Sequence, residues 1–302
     1  MHYIIGGGIA GLIWAFYNQQ YKIIAPDIGG QMKTKFDLGP RYLHKTPQSK
    51  KLLQELDMPI KIIKIKVGYY CCGMLASDTI AFPAFRELYY QKSRNTKDLK
   101  GFDKSTMTGN KNEFEAYEVD FNQLIANLYA AIGPERIIRG KVISINTDRQ
   151  YLVYANGNKA GRKTTKKKYN KIIWTAPLKF FMLMMYGQEE ADAIITQDIT
   201  YTLLNRSPFH FGKHFNYVYV VDPKHDFHRI TKTRQGYVVD VCGTKPIQSK
   251  YAIDYVTLRG AQLCSKIPPP RIARIKFVGR YARNNHKIKT EDIIKQAMEE
   301  KR

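Results

Sequence analysis

Gly6, Gly8 and Gly11 stand at G-x-G-x-x-G spacing in HYIIGGGIAGLIWAF, directly after an apolar run and at the head of a helical pattern carried by Leu12, Ala15 and Phe16. Glycines so placed let the backbone approach a pyrophosphate and aim helix-terminal N–H groups at its charge. The chemistry they point to is dinucleotide binding. His210 and His214 in HFGKH, and His225 and His228 in HDFH, lack the paired carboxylates of a metal site and read as surface or phosphate-contacting residues. Cys71, Cys72, Cys242 and Cys264 form no CxxC pair, so they are expected to be buried or free thiols, with neither zinc nor a disulfide frame. No metal is expected.

The elements that must position the glycines follow at once. A second apolar run, Tyr21 to Ala25, is stopped by Pro26, and the two runs with the helix between them make a βαβ unit. KIIKIKV, Lys61 to Val67, reads as a strand that Gly68 punctuates. Gln123 to Ile132 has helical spacing behind Asp120 and Asn122 and ends at Gly133-Pro134. RIIRGKVISI, YLVYA and KKYNKIIWTAP read as a β-meander whose connection holds Asn156-Gly157 and a basic loop of Arg162, Lys163, Lys166, Lys167 and Lys168. FFMLMMY reads as a short helix, and YVYVV and GYVVDV as strands. A final strand, turn and helix follow Pro268 to Pro270. The fold class is α/β: a Rossmann-type dinucleotide-binding domain, which the resemblance below makes an FAD-binding domain, with a smaller α+β substrate domain. The dinucleotide-binding parts are expected at 1–60, 134–180 and 268–302, and the substrate parts at 61–133 and 181–267.

Beyond the first glycines, several segments resemble the flavin-dependent amine oxidoreductase superfamily, which includes monoamine oxidases, protoporphyrinogen oxidases and UDP-galactopyranose mutases. Gly29-Gly30 is similar to the family's turn beside the FAD phosphates, and FDLGPRYLH, Phe36 to His44, to the stretch lining the flavin, with Gly39 and Arg41. Lys141 and Val142 resemble the strand that clasps the adenine, and WTAP, with Thr175, the second FAD strand. FVGRY, with Gly279 and Arg280, resembles the C-terminal flavin-binding turn, and Asn284 and Asn285 lead to a helix whose N-terminus would face the isoalloxazine. The resemblance covers about half the chain and implies non-covalent FAD. Asp27 stands where the family has a glutamate on the ribose, and Gln31 replaces the usual Arg or Asn after the GG pair. His44 and His286 lie beside these motifs and are the candidates for touching substrate, against a structural hydrogen-bonding role. Trp174 is a candidate for stacking on cofactor or base.

The 302 residues carry 49 Lys and Arg against 26 Asp and Glu, a net charge of +23. A field of that size attracts polyanions, although a Lys- and Asn-rich composition is its bland source. No run approaches the roughly 18 apolar residues of a membrane span, and a cytoplasmic protein is expected, in the host cytoplasm if the source is viral. The family's chemistry, hydride removal from a carbon bearing an amine, combines with the charge to point to an amine displayed on DNA. The chain also resembles the compact flavoproteins found among bacteriophage DNA-hypermodification enzymes, and that resemblance implies an FAD-dependent lyase that cleaves a C–N bond of a glycine-like adduct on a modified thymine in phage DNA and leaves an aminomethyl base. The alternatives are a UDP-galactopyranose mutase-like enzyme using reduced FAD on a sugar nucleotide, since GRYARNNHKIKTEDII resembles the mutases' C-terminal segment, and a non-catalytic flavin-binding module.

Overall fold

A computed structural model describes residues 1–38, 42–77, 84–94, 113–156, 163–210, 214–265, 267–285 and 287–301. Gly39, Arg41, Gly157, Arg162 and His286 lie outside the described residues.

In chain order the elements are β1 (His2–Ile5), α1 (Ile9–Tyr17), β2 (Tyr21–Ala25), β3 (Tyr42–His44), α2 (Pro47–Glu55), β4 (Ile62–Cys71), β5 (Met74–Ala76), α3 (Phe85–Arg94), β6 (Glu113–Glu118) and α4 (Phe121–Ile132). There follow β7 (Ile137–Arg139), β8 (Lys141–Asn146), β9 (Tyr151–Asn156), β10 (Lys163–Lys168), β11 (Lys171–Trp174), α5 (Leu178–Met185) and α6 (Gln188–Asp192). The chain ends with β12 (Thr196–Leu204), β13 (Tyr217–Val220), β14 (Arg229–Thr233), β15 (Gly236–Cys242), β16 (Ala252–Leu263), β17 (Ile275–Phe277) and α7 (Thr290–Glu300).

The N-terminal βαβ unit forms as its pattern predicts. β1 pairs in parallel with β2 on one side and β11 on the other, within a five-stranded sheet ordered β17-β11-β1-β2-β7. Parallel strands covered on both faces must be continuously apolar, and Tyr3, Ile4, Ile5, Ile23, Ile24, Ile172 and Ile173 are all buried. α1, α4 and α7 cover one face through Leu12, Trp14, Leu124, Leu128 and Ile294. The other face packs on α5 and on the three-stranded sheet β10-β9-β8 through Leu152, Tyr154 and Phe181. Arg136 closes the turn from α1 to β2, donating to Ala15 O at 2.8 Å, Asn18 O at 3.1 Å and Tyr21 O at 3.0 Å.

The second large sheet has nine strands, ordered β16-β12-β15-β14-β13-β4-β6-β3, with β5 paired to β4. Its strands come from both sides of the meander in sequence, so long-range pairings such as Tyr217 with Val67 hold it together.

Five expectations need correction. The run Lys163, Lys166, Lys167 and Lys168 is not a loop but the edge strand β10, paired antiparallel with β9. Strand edges rich in lysine resist pairing with other chains, and Lys166 lies 3.7 Å from the centre of the Tyr151 ring, a cation–π contact. Gly68 does not end β4 but sits inside it, where a Cβ would lie 3.0 Å from Val218 and 3.1 Å from Phe215. Trp174 is buried in the core, its ring edge-on against Phe181. His228 is buried too, and burial with Arg229 and Lys92 lowers its pKa to about 3, so it is a neutral core residue and not a phosphate contact. Helix α4, expected with 61–133 apart from the parallel sheet, packs on α1 instead.

Candidate cofactor and substrate site

Three turns meet at the carboxyl end of the parallel sheet. The first contains the three glycines, and each is glycine for a different reason. Gly6 has φ +119°, and a Cβ there would lie 2.6 Å from Thr175 Oγ1. A Cβ on Gly11 would come within 2.1 Å of Gly6 O, so glycine lets α1 start hard against the turn. Gly8 has no comparable reason within the protein: its φ of −73° and ψ of 177° suit any residue, and a Cβ there meets nothing within 4 Å. Gly8 is also the N-cap of α1, with no side-chain cap and no acid in the first turn. The first N–H groups and the positive end of the helix dipole are therefore open to an anion.

The second turn, Gly29-Gly30, has φ of +101° and +56°. Gly29 N donates to Gly7 O at 2.8 Å, and a Cβ on Gly30 would lie 3.2 Å from Gly8 Cα. Asp27 O lies just as close to the first turn, 2.3 Å from a Cβ built on Gly7, while the exposed Asp27 carboxylate is 3.8 Å from Arg139. The third turn follows β17, where Gly279 has φ +93° and its Cβ would lie 3.0 Å from Ala10 Cβ.

The structure thus brings Gly6, Gly8, Gly11, Gly29, Gly30, Gly279 and Thr175 into one cradle. Thr175 supports it from behind, its hydroxyl 3.1 Å from the carbonyls of Ile5 and Gly6. Arg280 is exposed, with Nε donating to Ile288 O at 3.4 Å, and Asn285 Oδ1 accepts from Lys287 N at 2.9 Å. Val142 lies on β8 opposite Tyr154. The N-terminus of α7 already carries Glu291 and Asp292, which accept from His44 N and Lys289 N. His44 stacks on Phe114 and its Nε2 lies 3.2 Å from Lys289 Nζ. Burial, then Lys289, lowers the His44 pKa, so its ring is a neutral acceptor at pH 7.

Strand pairing aligns a row across the nine-stranded sheet: Tyr69, Tyr219, Arg229, Asp240, Tyr201 and Val256. The segment after the GG turn lies over one half, where Phe36 and Leu38 pack with Tyr201, Leu203 and Val238, and Gln31 Nε2 donates to Arg259 O. Tyr281, next to Arg280, donates to Ala261 O at 2.8 Å on the same sheet. α3 lies over the other half through Phe85 and Tyr89.

At the centre Arg229 and Asp240 form an ion pair, the Asp240 side chain 2% exposed and that of Arg229 29%. Arg229 Nε, Asp240 Oδ1 and Thr231 Oγ1 are buried without a hydrogen-bond partner on this face. Unmet polar atoms gathered on one face are what a ligand-binding surface requires. Burial pushes the Asp240 carboxyl up to about 6 against the pull of Arg229, and it raises the Tyr201 and Tyr42 hydroxyls, the latter to about 12. The tyrosines remain proton donors at pH 7. Sequence reading missed this row; its signal was a lone acid inside the apolar strand GYVVDVC and a lone base at the head of RITKT.

A parallel sheet with a glycine cradle at its carboxyl edge, joined to a broad second sheet, defines the class of α/β protein. The same fold occurs in a crystal structure of reduced UDP-galactopyranose mutase, 12% identical, with a TM-score of 0.65 over 99% of this chain and 94% of that one. It occurs also in a CLA-producing fatty acid isomerase from P. acnes, 11% identical, with a TM-score of 0.62 over 99% and 97% of the two chains. A p-nitrophenol 4-monooxygenase, PnpA, from Pseudomonas putida DLL-E4 matches at 13% identity and a TM-score of 0.53, over 98% and 76%. No protein-family model and no curated protein sequence matches the chain. Likeness at this identity shows the fold. Among the described residues no group of three or more His, Cys, Asp or Glu is placed to hold a metal, and no helix is long and apolar enough to cross a membrane.

Proposed function

We propose that the chain is a flavin-dependent enzyme that holds FAD non-covalently in the glycine cradle and its substrate on the Arg229–Asp240 row. The observation that carries this reading is Gly8, whose glycine has no purpose inside the protein and leaves room where a pyrophosphate would meet the N-terminus of α1. The residues fit the cofactor on that ground. Gly6, Gly8, Gly29 and Gly30 would line its phosphates, Asp27 its ribose and Gly279 the far turn. FAD, when bound, supplies a two-electron acceptor or donor. The protein's own residues do the rest: Arg229 orients an anionic or carbonyl group, the tyrosine hydroxyls donate to it, and Phe36 and Leu38 keep water away. The test is the absorption spectrum of the purified protein: a flavin spectrum that bleaches with dithionite, and FAD released on denaturation, are expected, and a colourless protein that takes up no FAD overturns the reading.

Two substrate classes follow from separate observations. The fold shared with UDP-galactopyranose mutase and the Arg229 guanidinium, 29% exposed beside Asp240, favour a sugar nucleotide. The charge of +23 favours an amine carried on DNA, with lyase cleavage of the glycine-like thymine adduct as the concrete reaction. Salt separates them. For the DNA reading, affinity falls log-linearly with salt, and Lys166→Glu, Lys167→Glu and Lys168→Glu together lower both affinity and salt slope while FAD stays bound, because β10 lies on the sheet away from the cradle. A protein that ignores single- and double-stranded DNA at low salt leaves the sugar nucleotide.

Arg280 gives a smaller, independent prediction. If its guanidinium turns from Ile288 O to the cofactor phosphates, Arg280→Ala weakens FAD binding by about 1.5–3 kcal/mol, a charge-assisted hydrogen bond. Equilibrium titration reads this directly, and unchanged affinity assigns Arg280 to its own turn.

A further inference from the structure

The proposed function uses no cysteine, yet one pair is built for chemistry. β4 and β5 are joined by the two-residue turn Cys72-Gly73, both residues at positive φ, 51° and 78°. Cys71 closes β4 and is buried, while Cys72 is exposed. The turn brings their Sγ atoms to 3.4 Å. It is held there by Asp222, buried at 2% exposure, whose carboxylate accepts from Gly73 N at 2.9 Å and from Lys224 N at 3.0 Å. Lys92 of α3 donates to Asp222 O at 2.6 Å, so a helix anchors the same corner.

We infer that Cys71 and Cys72 form a vicinal dithiol that hydrogen peroxide, or another two-electron oxidant, converts reversibly to an intrachain disulfide, and that takes trivalent arsenicals as a bidentate ligand. The exposed Cys72 thiolate attacks the peroxide O–O bond, becoming a sulfenic acid and releasing hydroxide. Cys71 sulfur then attacks the Cys72 sulfur, the S–S bond forms and water leaves. In sum, two thiols and one hydrogen peroxide give one disulfide and two waters. The order follows from the environment: burial and the neighbouring Cys72 push the Cys71 thiol up to about 11, so the buried sulfur resolves and does not initiate. Adjacent residues have Cα atoms ~3.8 Å apart, below the usual span of a disulfide, so the closed form is strained and easily reduced.

The test uses the full chain, reduced and freed of reductant, treated with stoichiometric hydrogen peroxide and mapped by mass spectrometry. Expected is loss of two hydrogens from the peptide holding Cys71 and Cys72, reversal by dithiothreitol, and protection by prior binding of one phenylarsine oxide. In Cys71→Ser the resolving thiol is gone, so one equivalent of peroxide leaves Cys72 as a sulfenic acid that dimedone traps, and a second equivalent carries it to the two-oxygen sulfinic acid. Since Cys72 is exposed, Cys72→Ser is the second variant, and it should show neither disulfide nor arsenical capture. A wild-type protein that yields sulfinic acid at Cys72 with Cys71 untouched, or disulfide-linked dimers, overturns the inference.

Discussion

Arg229→Met is expected to destabilise the chain by about 3–5 kcal/mol, the loss that follows removal of one partner from a buried pair. Methionine fills much of the volume but leaves the Asp240 carboxylate, 2% exposed, with no counter-charge. The loss depends on pH with a definite sign. Asp240 titrates at about 6 in the folded chain against an ordinary value of 3.8. A carboxyl raised in this way contributes stability fully below the unfolded pKa, and that contribution disappears as pH rises through 6. The difference corresponds to about 3 kcal/mol. Without Arg229 the Asp240 pKa climbs further, so denaturant titrations should show a larger deficit at pH 8 than at pH 5. Asp240→Asn should erase Asp240's share of the slope between pH 4 and 6. Equal deficits at both pH values would show that the pair is not coupled.

Gly11→Val is expected to abolish folding, because a Cβ there lies 2.1 Å from a backbone oxygen that cannot move without opening the β1–α1 turn. Gly8→Val is expected to fold with an unchanged melting temperature, since nothing of the protein stands within 4 Å of its Cβ and its backbone angles suit valine. Its whole effect should fall on the cofactor, lowering FAD affinity at least ~100-fold, or ~2.7 kcal/mol. The contrast, measured by circular dichroism and flavin retention, separates a glycine needed for packing from one kept clear for a ligand. Gly8→Val that unfolds would show that the turn has a packing demand of its own.

The parallel-sheet half was legible in sequence because its signals are local. A glycine turn between an apolar run and a helix, Asp120 capping α4 and Gly133 ending it, and the final strand and helix are each decided within a dozen residues. The nine-stranded sheet was not legible, because its order joins β13 to β4 across 150 residues and only that pairing aligns Tyr219 with Tyr69. Arg229 and Asp240 become neighbours through register, which no single-strand pattern encodes. The basic run misled for the opposite reason. KTTKKK has the composition of a loop, yet partners on β9, from Tyr151 to Asn156, satisfy its backbone and make it a strand.

The cofactor claim is tested most directly by titrating FAD into flavin-free wild-type and Gly8→Val proteins, following flavin fluorescence and melting temperature together. The account predicts saturable binding of one FAD per wild-type chain with a melting temperature that rises with ligand, and neither response in a folded Gly8→Val. Wild-type protein indifferent to FAD, or a Gly8→Val variant that binds it as tightly, would contradict it.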